Sequence, residues 1–91
     1  MDERLNILQT FTSPLLQMPR GMAAVTEDQV LICSSDNDSL VELQLSTTTM
    51  STLLGKDDGI EKPYSLAYCP DQKKLFLASK FTNTIKVYHI T

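Results

Sequence analysis

Residues 19–45 read PRGMAAVTEDQVLICSSDNDSLVELQL, and residues 63–90 read PYSLAYCPDQKKLFLASKFTNTIKVYHI. The second stretch repeats the first. Pro19 matches Pro63, Met22 matches Leu66 and Ala23 matches Ala67, all at an offset of 44. Lys74 adds one residue, and the offset becomes 45. Leu31 then matches Phe76, Ile32 matches Leu77, Ser34 matches Ser79, Leu40 matches Ile85 and Leu45 matches Ile90.

Outside and inside the repeat, no segment keeps an i, i+3, i+4, i+7 apolar stripe over three turns, so helices are not expected. Short runs of β-branched and aliphatic residues recur between turn-forming clusters instead. They predict eight strands, at about residues 5–11, 22–25, 30–33, 40–45, 50–54, 65–69, 75–78 and 85–90. Thr26-Glu27-Asp28-Gln29 and Pro70-Asp71-Gln72-Lys73 read as matching hairpin turns; Asp suits such turns because it hydrogen-bonds nearby backbone. Residues 34–38 and 79–83 form a second matching pair, and residues 55–59 a longer polar loop whose partner is residues 12–14. Leu40, Val41, Leu43 and Leu45 are apolar on both faces of their strand, as are Leu75, Phe76, Leu77 and Ala78. A sheet with one wet face alternates apolar and polar residues, so these sheets are expected to be covered on both sides.

A strand-rich unit of this length that repeats, with both sheet faces covered, predicts an all-β fold of β-propeller blades, each of four antiparallel strands. Residues 1–91 are then one propeller unit. Residues 1–18 hold an outer strand and a loop, 19–55 the first blade, and 56–91 a second blade lacking its outer strand.

The repeat also resembles the NHL-type repeat of six-bladed propellers. Pro19 and Gly21 fit the opening of that pattern, residues 30–33 its second strand, Asn37 its turn Asn and Leu40 the start of its third strand. The second copy fits through Pro63, Ser65, Ala67, residues 75–78, Asn83 and Ile85. Two positions depart: Ser34 and Ser79 stand where the family has Asp, and Ser39 and Thr84 where it has Arg. The family's Asp–Arg pair is therefore missing from both copies, leaving hydroxyls to bond across the hairpin. The resemblance implies six blades and a recognition platform for proteins or RNA. No RING, B-box or coiled coil accompanies it here.

In propeller order the strands run d-a-b-c-d-a-b-c, so the chain holds two blades' worth. Two blades cannot close a ring and leave apolar flanks and an open strand edge. Three copies would make six blades, which predicts a homotrimer; an excised or designed half-propeller that only self-assembles is the alternative. The predicted joint pairs strand 5–11 of one copy with strand 85–90 of the next, with Leu5, Ile7, Phe11, Ile85, Val87 and Tyr88 as the subunit interface.

Chemistry is sparse. Asp36-Asn37-Asp38-Ser39 alternates like the start of a calcium loop, but Val41 and Thr47 occupy the places of its Gly and bidentate Glu, so a hairpin turn is the reading. His89 is the single histidine and cannot make a zinc site alone. Six-bladed hydrolases of the lactonase type line their channel with metal-binding Glu, Asn and Asp. Here the inner strands offer residues 22–25 and 66–69, none of them acidic. No enzyme activity and no cofactor are expected; a lactonase-type hydrolase is kept as an alternative. Asp36, Asp38, Asp57, Asp58 and Glu61 fall in loops that a propeller brings to one end. Solvated loop charges are the plain reading, and a docking face for a basic protein or peptide the sharper one.

Composition fits a folded domain: 42% of residues are apolar and 21% charged, too apolar for a disordered chain. Net charge is -3 with no Lys/Arg run, so a nucleic-acid partner is not expected. Cys33 and Cys69 lie in or beside apolar strands and read as free buried thiols. The start, MDERLNIL, lacks the apolar stretch of a signal peptide, and no apolar run nears the roughly 20 residues that span a bilayer. A cytoplasmic protein with no membrane partner is the expectation.

Overall fold

A computed structural model describes residues 5–90; residues 1–4 and Thr91, within the predicted unit 1–91, lie outside the described residues. The fold is all-β. Seven strands run in order: β1 (Pro19–Ala24), β2 (Gln29–Ser34), β3 (Ser39–Gln44), β4 (Thr49–Leu54), β5 (Pro63–Cys69), β6 (Lys74–Ser79) and β7 (Ile85–His89). A single 3-10 turn, Lys56–Asp58, precedes β5. The strands form two antiparallel sheets, β1-β2-β3-β4 and β5-β6-β7.

The sequence repeat is written into the backbone. Ser35 donates its amide to the Met18 carbonyl (3.2 Å), and Lys80 donates to the Lys62 carbonyl (2.9 Å). Leu45 donates to Asp28 and Ile90 to Lys73, both at 2.8 Å. Each bond recurs at the offset of 44 or 45. Met18 and Lys62 share a left-handed backbone (φ 58 and 39). The first strand of each sheet breaks register at the same place, after Pro19 and after Pro63.

Side-chain alternation decides how the sheets stack. Leu31 and Leu40 of the first sheet are fully buried with Leu75 and Leu77 of the second, and Ile60 of the connecting loop seals them. Fully burying one such side chain contributes about 1.5–3 kcal/mol. The opposite face of the first sheet carries Ile32, Val41 and Leu43, also buried. Phe11 and Leu16, from the segment before β1, lie over that face. The second sheet has no such cover: on its outer face Ile85 is 66% and Val87 53% exposed. The expectation of two covered faces therefore holds in part for the first sheet, where Met22 stays 63% exposed, and not for the second.

The strand expected at residues 5–11 does not form. Those residues make no ladder, and Leu5, Ile7 and Leu8 are exposed. The reason is a tether. Asp36 donates its amide to the Gln17 carbonyl (3.0 Å) and Ser35 to that of Met18, which fixes the segment to the β2–β3 turn of the first sheet. Among the described residues, the free outer edge β7 lies in the second sheet, to which this segment is not tethered. An extended segment without a strand to pair with has unsatisfied backbone and no reason to be a strand.

The inner strands β1 and β5 approach closely at Gly21. A Cβ there would stand 2.7 Å from the Tyr64 carbonyl oxygen and 2.9 Å from Ser65 Cα, whereas one at Gly55 would meet nothing. Gly21→Ala should therefore lower stability by about 1–3 kcal/mol through overpacking. Gly55→Ala should change it by less than about 0.5 kcal/mol. Urea unfolding midpoints measure both; equal midpoints for the two variants would contradict the close approach.

Candidate functional site

The loops at one end of the sheets carry the predicted acidic residues. Asp38, at φ 51, turns β2 into β3, and its carboxylate accepts the Lys62 amide at 2.8 Å. That bond joins the β2–β3 turn to the loop before β5, so Asp38 and Glu61 do share one end. Asp38 is half-buried by this role. Asp58 accepts the Gly55 amide at 2.9 Å, closing the 3-10 turn. Asp36, Asp57 and Glu61 remain exposed.

The neighbouring polar residues serve the same turns. Asn37 donates from Nδ2 to the Leu15 carbonyl (3.0 Å), and the Ser39 hydroxyl donates to the Asn37 carbonyl (2.9 Å). Asp36-Asn37-Asp38-Ser39 is thus built as a hairpin turn. Among the described residues no three His, Cys, Asp or Glu side chains gather as a metal ion would require.

Ser34 plays a part different from the expected bond across its hairpin. It is fully buried, donates to the Leu15 carbonyl (3.0 Å) and accepts the Gln17 amide (2.8 Å). It ties down the segment before β1 rather than bridging its own hairpin. Asp28 sits in its predicted turn, and its carboxylate also accepts the amide and hydroxyl of Ser46. That links the β1–β2 turn to the β3–β4 turn at the other end. Turn-forming Asp is recognisable in sequence; which distant amide it caps is not.

Two apolar hollows, each of about 370 Å³, flank the first sheet. One opens between the sheets and is lined by Leu31, Leu40, Leu54, Leu75, Tyr88 and His89. Burial, and then the negative charge of Asp58, push the Tyr88 phenol above its ordinary pKa. Tyr88 pairs across β6–β7 with Leu75. It therefore faces into the molecule, on the side of β7 opposite Ile85 and Val87. His89 is exposed at the rim. Tyr88 and His89 are the ionisable side chains that line this hollow, and leucines make up most of its wall. The second hollow lies on the outer face of the first sheet, where Phe11 lines it with Met22, Val30 and Ile32.

Cys33 and Cys69 are both free thiols, the first buried and the second half-buried. Burial pushes the Cys33 thiol up to about 11, partly opposed by the Gly21 amide facing it. No helix among the described residues is long and apolar enough to cross a membrane. Comparison with protein-family models gives no match, and comparison with curated proteins gives none.

The thiol environments differ enough to measure. A thiol reagent at neutral pH should titrate Cys69 quickly and Cys33 only after unfolding in urea. The fold favours neutral Cys33, so its contribution to stability is complete below about pH 9 and is lost as pH rises through about 11. Two thiols reacting at one rate in the folded protein would contradict the burial of Cys33.

Proposed function

We propose that this chain is a two-blade β-propeller unit of NHL type that assembles with copies of itself into a six-bladed homotrimeric ring and serves as a non-enzymatic scaffold for protein binding. One observation carries the reading. The loop from β4 to β5 delivers Ile60 to the core three residues before Pro63, and the segment before β1 delivers Leu16 to the first sheet three residues before Pro19. At the offset of 44, residues 5–10 correspond to β4 (Thr49–Leu54). Their apolar members, Leu5, Ile7 and Leu8, are exposed, and β7 has a free edge. An exposed apolar arm and an open strand edge on the same chain are complementary hazards that exchange between copies removes. Leu5, Ile7 and Phe11 then complete the blade that begins at β5, beside Ile85 and Val87.

Ring closure repeats Asp36, Asp57 and Glu61 around one face. Exposed carboxylates in that arrangement attract a basic protein or peptide over a Debye length. Two unpaired cysteines suit a reducing, cytoplasmic setting. The capping roles of Asp38 and Asp58 favour the second reading, in which the unit only self-assembles, because they leave fewer acidic groups for a partner.

Isothermal titration with hexalysine separates the two. The scaffold reading expects binding that weakens several-fold between low and physiological salt and weakens again in Asp57→Asn/Glu61→Gln, with the unfolding midpoint unchanged. Equal, salt-independent heats from both proteins would leave self-assembly alone.

A further inference from the structure

We propose that the outer face of the second sheet seats on the outer face of the first sheet of the next copy, with Phe76 and Ile85 entering the hollow beside Met22, Val30 and Ile32. This rests on the ring reading and names the surfaces that meet in it.

The internal repeat supplies the argument. Within one chain, Leu31 and Leu40 pack against Leu75 and Leu77, with Leu66 alongside. Moving the first pair forward by 45 residues gives Phe76 and Ile85, which stand on the outer face of the second sheet beside Val87. Moving the second group back by 44 or 45 gives Met22, Val30 and Ile32, which line the outer hollow of the first sheet. The two open faces are repeat images of two faces that already fit one another. A second copy therefore continues the stack in the same sense, head to tail, rather than face to like face.

The exchanged side chains compensate in volume. Phe76 is larger than Leu31, and it meets Val30 and the pliable thioether of Met22 where Leu31 meets Leu75 and Leu66. Met22 is 63% exposed, so it is free to move aside. The inner strands behave consistently. Ser65 takes the place of Gly21, and its Cβ needs the joint set wider than the one inside the chain, as the larger Phe76 also does. The Arg20 guanidinium lies over the Tyr64 ring at 5.6 Å within the chain. Tyr64 is itself the image of Arg20, so at the joint it meets Arg20 of the next copy and each arginine lies between two rings.

A head-to-tail joint can be tested by blocking each face separately. Met22→Glu spoils the first-sheet face and Ile85→Glu the second-sheet face, both at exposed positions. Each variant alone should sediment as a monomer with unchanged circular dichroism. Mixed one to one, they keep one sound face of each kind and should form a heterodimer. Phe81→Ser, another exposed apolar residue but off this face, should leave the wild-type mass unchanged. Should either glutamate unfold the chain, Met22→Gln and Ile85→Thr carry the same test through weakened association. Single variants that keep the wild-type mass, or a mixture that stays monomeric, overturn the face assignment while an oligomeric wild type preserves the ring. A monomeric wild type overturns both.

Discussion

Leu31 and Leu40 pressed on Leu75 and Leu77 hold this chain together. The second sheet has no other apolar cover and the first has only Phe11 and Leu16, so each sheet depends on the other for its core. The close approach of β1 and β5 follows from that contact. It places Gly21 against the Tyr64 and Ser65 backbone, where no side chain fits. Ile60 seals the same seam from the connecting loop. The loop ends are then drawn together, and Asp38 can reach the Lys62 amide.

The seam uses one face of each sheet and leaves the other faces without a matching sheet among the described residues. A repeat whose two faces differ stacks without limit until something covers its ends. Here one end is partly covered by Phe11 and Leu16, and the other presents Ile85 and Val87 to water. Exposed apolar faces of this kind call for a partner. In the proposed ring that partner is another copy of the chain, whose shape the repeat supplies.

Much of the fold could be read from residue order. The apolar run Val30-Leu31-Ile32-Cys33 lies within β2, and Pro63 and Pro70 bracket β5. Matching turns predicted matching hairpins, and the shared left-handed backbone at Met18 and Lys62 agrees with the offset. That residues 5–11 form no ladder within the chain was not readable, because a strand needs an edge as well as a pattern. The facing of Tyr88 was readable in principle: 45 residues earlier stands Leu43, on the face that receives packing rather than the one that gives it. At the acidic end, residue type predicted charge but not employment. Asp58 caps the Gly55 amide within its own turn, whereas Asp38 caps the Lys62 amide, a neighbour only because the two sheets pack together.

The central claim is that residues 5–11 complete a blade on a neighbouring copy. Sedimentation equilibrium on the full chain and on one beginning at Thr12 tests it most directly. The account predicts three times 10.2 kDa for the full chain, and monomers or ill-defined aggregates for the truncated one. A full chain that sediments as a folded monomer at micromolar concentration, or a truncated chain that keeps the same closed oligomer and the same thermal midpoint, would contradict it.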